Sequence, residues 1–348
     1  MPLKAQKDGD EVVSFTLTND AFDALRGDPE LRMACCSARA IPKRSKLGTP
    51  FFAHGRTGEC SSGPETAFHL QSKVIIAQAA EAAGWQAIVE ASGQTPDGTP
   101  WRADVLCTKG KANVAFEVQR SPQTIAETAE RQAIYERSEV RGLWLMTRHR
   151  KTLEDRIWLD KSGEYTTPIF FLDDTFQVPR FNCSLHDFIT GSLSGQLLYA
   201  PRAGQRAQLS LHGSRQSCWK CRKQLMLILE LGFQVREHVR WEVPWMYVVE
   251  DDDLLQLLEV VLLPELCQRL QIGQLKRRPS KTTKTTYLSQ GCPHCDALQG
   301  NYFIDELRQK IYRSGTETKY TQVIPLTQIT LKESLASWGN ARWQFRME

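Results

Sequence analysis

The stretch "RADVLCTKGKANVAFEVQRS", residues 102–121, restricts the chain more than any other. Arg102–Leu106 and Val114–Val118 alternate as strands do, and Thr108-Lys109-Gly110-Lys111 has turn chemistry, so the segment predicts a β-hairpin. Into its two apolar runs it sets Asp104, Glu117 and Gln119. Carboxylates on neighbouring strands are costly unless something cationic compensates them. Two readings are open: a structural ion pair or exposed strand face, and a divalent-metal site. Mg²⁺ and Mn²⁺ prefer hard oxygen ligands, so two carboxylates across a hairpin can hold one. Such an ion serves as Lewis acid, source of an activated water and clamp for a phosphate.

The flanking segments carry more of the same chemistry. "SSGPETAFHLQSKVIIAQAAEAAG" predicts a helix, with a Ser/Gly cap ahead of Pro64, Glu65 at its positive end and Gly84 as its stop. Glu65, His69 and Lys73 recur every four residues and share one face. "QAIVEAS" predicts a strand that brings in Glu90. A second helix, Pro122 to Arg137, places Arg131 and Tyr135 one turn apart, and "GLWLMT" and "PIFFL" predict further strands. Helix, three strands, helix, strand describes one α/β unit.

"FFAH", "PETAFHLQSK", "RADV", "AFEVQRS", "ERQAIY" and "GLWLM", in this order and spacing, resemble the competence protein CoiA-like family, which is assigned to the PD-(D/E)XK nuclease superfamily. The likeness runs from residue 33 to 172. It implies an α/β, restriction-endonuclease-like core sheet flanked by helices. The pattern D-x₁₂-E-x-Q is similar to the superfamily signature, with Gln119 where a lysine is usual; the ExQ form followed by Ser121 is itself a family feature. By this resemblance Asp104 and Glu117 ligate Mg²⁺ or Mn²⁺, Gln119 positions water, and Glu65 and Glu90 are auxiliary acids. His69, Lys73 and Tyr135 fall on helix positions of the family pattern, Lys73 as a candidate for the missing cation, and Arg131 is a candidate nucleic-acid contact. Relatives often begin with a CxxC pair. Here Cys35 and Cys36 are adjacent, with His54 and Cys60 later, and they are read as buried thiols in preference to a rearranged zinc site.

Beyond residue 200 the texture changes. "APRAGQRAQLSLHGSRQ" predicts a linker or basic arm, and "DDLLQLLEVVLLPELCQRL" a helical run. Cys218-x-x-Cys221 and Cys292-x-x-Cys295 offer four thiolates in two paired knuckles, the ligand set of a structural Zn²⁺. The long separation between them predicts a zinc-ribbon-like α+β module with a helical insert. His294, inside the second knuckle, is read as a neighbour of the ion and not a ligand. "QLKRRPSKTTKTTY" predicts a flexible basic segment whose Lys276, Arg277, Arg278, Lys281 and Lys284 contact phosphates.

The 348 residues are 41% hydrophobic and 24% charged, which excludes a disordered chain, and the net charge of +4 leaves the case for an anionic partner to local clusters. Neither a transmembrane run nor the apolar core of a signal peptide is visible, and with two CxxC pairs among the ten cysteines this points to the reducing cytoplasm. The expected organisation is a β-rich segment (1–60), a nuclease-like domain (61–200) and a zinc-ribbon-like nucleic-acid-binding domain (201–348). The expected function is metal-dependent hydrolysis of DNA phosphodiesters. The alternative is a catalytically inactive nucleic-acid-binding adaptor, or a subunit of a competence or phage-defence complex; a homo-oligomer is a further possibility, and no membrane is involved.

Overall fold

The computed structural model describes residues 2–36, 38–55, 65–120, 123–147, 167–237, 239–313 and 322–346. Cys60, Ser121, Pro122 and the helix cap expected around Pro64 lie outside them. The chain divides into two compact units, Met1–Leu198 with Trp343–Glu348, and Tyr199–Arg342.

The first unit opens with β1 (Lys4–Lys7), β2 (Asp10–Val13) and β3 (Arg32–Met33) in one antiparallel sheet, helix α1 (Asn19–Ala24), and a hairpin of β4 (Ala40–Arg44) and β5 (Pro50–His54). Phe22, Leu31, Met33 and Phe52 give this part its own apolar centre. Then come α2 (Ala67–Ala82), β6 (Gln86–Gln94), β7 (Pro100–Lys109), β8 (Ala112–Gln119), α3 (Ile125–Arg137), β9 (Arg141–Thr147) and β10 (Ile169–Leu172). The strands form a five-stranded sheet in the order β10-β9-β8-β7-β6. β6, β7 and β8 are antiparallel neighbours, whereas β8, β9 and β10 run parallel. The predicted alternation of helices and strands is therefore present, with different end points.

Helix α2 begins later than its sequence implies. Thr66 caps it by accepting from the His69 amide, so Glu65 precedes the helix; the stop at Gly84 has the left-handed φ of +74° that glycine tolerates. Helix α3 starts at Ile125 behind a capping box made by Thr124 and Glu127. α2 buries Leu70, Val74 and Ile76 against Val105, Phe116 and Val118, while Tyr135 of α3 packs with Trp144 and Ala115 in a separate cluster. A short β11 (Gln177–Val178), β12 (Cys183–Ser184) and α4 (Leu185–Leu193) complete the unit, with Phe170, Phe181, Phe188 and Phe345 in aromatic contact.

β13 (Leu197–Ala200) leads into the second unit. Its main sheet is antiparallel, in the order β16-β15-β14-β20, from β14 (Arg206–Ser217), β15 (Gln224–Arg236), β16 (Val239–Pro244) and β20 (Gln322–Thr330). The expectation of a linker or basic arm at 200–216 is overturned: Ala207, Leu209 and Leu211 alternate inward along β14 beneath a surface row of polar residues. Helices α5 (Trp245–Val248), α6 (Asp252–Val261), α7 (Pro264–Leu270), α8 (Asn301–Arg313) and α9 (Glu333–Ser337) accompany the sheet. The expected helical run at 252–270 is present but breaks at Pro264, which opens α7. A smaller sheet holds β17 (Leu275–Pro279), β18 (Thr286–Gly291) and β19 (Leu298–Gln299), and β21 (Arg342–Phe345) returns to the first unit. The predicted flexible basic loop is thus a hairpin: Lys276 pairs Ser289 and Arg278 pairs Tyr287, with the turn confined to 280–285. Among the described residues no helix is long and apolar enough to cross a membrane.

Candidate active site and metal centre

The β7–β8 ladder runs from Lys109↔Ala112 to Val105↔Phe116 and stops. The next amide facing β7, that of Val118, donates instead to Asp104 Oδ2 at 2.8 Å. On the other side of β7, Glu90 interrupts the β6 ladder between Val89↔Val105 and Ala91↔Ala103 and adopts a left-handed φ of +51°. A non-glycine residue in that region costs of order 1–3 kcal/mol and persists only where its surroundings hold it. Here they do: Glu90 Oε1 accepts from the Leu3 amide at 2.9 Å and from Lys73 Nζ at 2.7 Å. The sheet therefore opens where Glu90, Asp104 and Glu117 lie.

Helix α2 presents its face to this opening. Lys73, with no exposed surface, sits 2.7 Å from both Glu65 Oε2 and Glu90 Oε1. Burial works against its charge, but Glu90 and Glu65 outweigh that and raise its pKa above the ordinary lysine value. Lys73 is thus the counter-ion of two carboxylates. One turn earlier, His69 Nε2 lies 3.0 Å from Asp104 Oδ2. Burial opposes charge on this imidazole as well; its bond to Asp104 prevails and raises its pKa, while the same bond helps hold Asp104 below the usual carboxylate range against burial.

From the opposite side α3 reaches Glu117. Arg131 Nη2 donates to Glu117 Oε2 at 2.8 Å, Nη1 donates to Gln123 at 3.1 Å, and the guanidinium lies over the Trp144 ring. Tyr135 contacts Glu117 Oε1 and, at 3.0 Å, the Arg102 carbonyl. Its single proton serves one acceptor at a time, and toward Glu117 the phenol donates and the carboxylate accepts. Burial and the neighbouring Asp104 push the Glu117 carboxyl up to about 7. The structure brings Glu65, His69, Lys73, Glu90, Asp104, Glu117, Arg131 and Tyr135 into one network; Gln119, two residues on from Glu117, follows it along β8. Arg131, expected on nucleic acid, is engaged with Glu117. The Leu3 amide had no signal in the sequence, because a backbone donor has no residue identity.

The Val118 amide donates to Asp104 Oδ2 and His69 Nε2 approaches the same oxygen, while Glu117 lies opposite Asp104, so two hard oxygen donors that could hold a divalent ion stand side by side.

In the second unit the four cysteines converge. Cys218 Sγ is 3.8 Å from Cys295 Sγ, and Cys221 Sγ is 3.7 Å from Cys292 Sγ. These are no disulfides; they match the edge of about 3.8 Å expected for a tetrahedron with metal–sulfur bonds of about 2.3 Å. Cys218 and Cys292 are buried and the other two half-buried, so the cluster could hold a metal such as zinc. Burial opposes charge on Cys218, yet the Cys221 and Lys220 amides bring its thiol down to about 6. His294 donates its amide to Cys292 Sγ and aims Nε2 at the Gln224 carbonyl, beside the cluster and not in it. Arg278 is buried: it contacts Asp296 at 2.5 Å and donates to the Ser289 and Gln274 carbonyls, bracing the second knuckle. Lys276 also contacts Asp296, and Arg277 donates to the Thr286 carbonyl. Lys281 and Lys284 are exposed in the turn.

A second cluster corrects the reading of the amino-terminal cysteines. Cys35 and Cys36 are exposed, not buried, and their sulfurs lie 3.6 and 3.2 Å from His54 Nε2. The β4–β5 hairpin carries His54 to them, so three potential ligands for a soft ion, two thiols and an imidazole, adjoin near the surface.

Two predictions test the electrostatics. Lys73→Met strands the buried Glu90 and the half-buried Glu65 and is expected to destabilise the first unit by about 3–5 kcal/mol, with Lys73→Met/Glu90→Gln losing less than the single changes summed; denaturant melts of the four proteins measure both. Without divalent ions, Glu117 and His69 have folded-state pKa values above their unfolded ones. Their stabilisation is complete below the unfolded values and is lost as pH rises through the folded ones. Between pH 5 and 8 stability should therefore fall, with a shallower slope in Glu117→Gln.

Residues 65–173 match the family model described as "Competence protein CoiA, nuclease-like domain". No curated protein matches the chain significantly. Among solved structures, that of "Protein of Unknown Function AF1548" is similar at 12% identity over 38% of this chain and 68% of that one, with a TM-score of 0.23. The carboxylate network lies within the segment that matches this CoiA nuclease-like domain model.

Proposed function

We propose that this protein is a divalent-metal-dependent nuclease acting on DNA phosphodiesters, with a zinc-holding second unit that carries nucleic acid. One observation bears most of the weight: Asp104 and Glu117 lie close together where the β7–β8 ladder ends, surrounded by counter-charges that hold the pair in place. Mg²⁺ or Mn²⁺ held by these two carboxylates would supply Lewis acidity toward a phosphate and acidify a water. The protein's part is positional. His69 and the Val118 amide orient Asp104; Arg131 and Tyr135 orient Glu117; Lys73 pairs with both Glu65 and Glu90. Gln119 presents an amide able to align a water without adding charge. His69 lies 3.0 Å from Asp104 Oδ2, beside the carboxylate that would hold the ion.

A second reading, an adaptor that has kept the fold and lost the chemistry, is favoured by the engagement of both candidate ligand carboxylates with cationic side chains. Divalent-ion dependence separates the two. Asp104→Asn and Glu117→Gln keep shape and acceptors but remove charge; each is expected to lower Mg²⁺- or Mn²⁺-dependent cleavage of linear and circular DNA by roughly a hundredfold or more. Near-wild-type cleavage by both variants would exclude this site, and a wild type without cleavage in either metal would establish the adaptor.

The second unit is expected to contain about one tightly held zinc ion per chain in the Cys218, Cys221, Cys292 and Cys295 cluster. Cys292→Ser should release it and expose the second unit to limited proteolysis while leaving the first unit resistant, because binding energy is here folding energy. Elemental analysis and fragment mapping read the two outcomes.

A further inference from the structure

The two Cys-x-x-Cys turns share one backbone. In the first, the Cys218 amide donates to the Lys223 carbonyl and the Arg222 amide to the Cys218 carbonyl; in the second, Cys292 donates to Ala297 and Asp296 to Cys292, all at 2.9 Å. The fifth residue of each is left-handed, Arg222 at φ +63° and Asp296 at φ +55°. The side chains break this symmetry. Asp296 is neutralised by Lys276 and Arg278, so two residues of the basic tract are consumed by the second turn. The first turn keeps its charge: Lys220, Arg222 and Lys223 are exposed, and among the described residues no carboxylate lies within ion-pair distance of them.

At the tip of that basic turn stands Trp219. Its side chain is 62% exposed, unusual for an indole, and the ring is not loose: Nε1 donates to the Leu298 carbonyl at 2.9 Å. The polar edge is thus satisfied and fixed while most of the ring is left to solvent. Four and five residues beyond Leu298, in the first turn of α8, Tyr302 and Phe303 are 78% and 48% exposed. A pinned aromatic face amid unpaired cations matches the surface that binds single strands, where a base stacks on the ring and the flanking phosphates meet lysine and arginine. A duplex hides its base faces within the stack and offers such a surface only its backbone.

We propose that the first cysteine turn is a stacking platform for unpaired bases of single-stranded nucleic acid, Trp219 taking the base and Lys220, Arg222 and Lys223 the phosphates. The proposal rests on the nucleic-acid role of the second unit and specifies its substrate class. It moves the contact from the basic tract at 276–284 to residues 219–223.

Fluorescence anisotropy tests it with the full chain and 12-mers of oligo-dT, oligo-U and a mixed-sequence duplex, in buffer free of Mg²⁺ and of chelators so that the cysteine-bound ion stays. The wild type should bind a single strand more tightly than the duplex, and Trp219-dependent binding of either oligo-dT or oligo-U supports the platform. Trp219→Ala should weaken single-strand binding by about 5- to 100-fold, the worth of one stacked base, while Trp219→Phe retains most of it. Arg222→Gln should reduce the slope of log affinity against log salt by about 0.7, one phosphate contact on a single strand. Unchanged zinc content in each variant shows that the turn is intact. Single-strand binding within twofold of wild type in Trp219→Ala, or a duplex bound as tightly as either strand, overturns the proposal. Because hydrolysis plays no part in this measurement, a protein that cleaves DNA yet binds independently of Trp219 refutes the platform alone. One that binds through Trp219 and never cleaves refutes the nuclease reading alone.

Discussion

Lys73 is the charge on which the first unit turns. An ammonium with no exposed surface is tolerated only against compensating carboxylates, and Glu65 and Glu90 supply them at 2.7 Å. The pairing ties together three places far apart in sequence: the segment before α2, the bent strand β6, and, through the Leu3 amide on Glu90, the start of the chain. It also keeps the left-handed Glu90 in place, and with it the break in the sheet beside Asp104. Without that break Asp104 would be one more residue in a regular ladder.

Around this centre the charges alternate. Glu65 and Glu90 face Lys73, Asp104 faces His69, and Glu117 faces Arg131. Helix α2 brings its cations from one side of the sheet and α3 its own from the other, so the two acids that resemble metal ligands are each served by a different helix. Glu117, more buried and beside Asp104, bears the tension and has its carboxyl pushed up to about 7. The second unit solves a different problem with sulfur: two turns of identical backbone close a long stretch of sheet and helices, and Arg278 and Lys276 cancel the charge of Asp296 where the second turn needs a left-handed residue.

Much of this was legible in the chain. The hairpin at 102–119, the helix bearing His69 and Lys73, and the converging Cys-x-x-Cys pairs follow from alternation, four-residue spacing and thiolate chemistry, which are local. The departures from local pattern share a cause as well. β14 resembled a basic linker because Arg202, Arg206 and Arg215 hide the inward row of Ala207, Leu209 and Leu211. The tract at 275–279 resembled a loop because Arg278, ordinarily a surface residue, is buried by partners at 274, 289 and 296. Free thiols are usually buried, whereas Cys35 and Cys36 are exposed and meet His54 at the surface.

The amino-acid sequence by itself determined the kinds of chemistry available: carboxylates on paired strands, a cationic helix face, four thiols in two turns. Spacing along one element is enough for that, since helix and strand periods fix which side chains share a face. The tertiary structure decided how each charge is spent. Whether a lysine offers its charge to a ligand or is consumed by a buried acid depends on partners brought from 17 residues away, as with Glu90 and Lys73, or from 18, as with Asp296 and Arg278. Ion pairing is a property of distance and burial, and neither exists until the chain has folded.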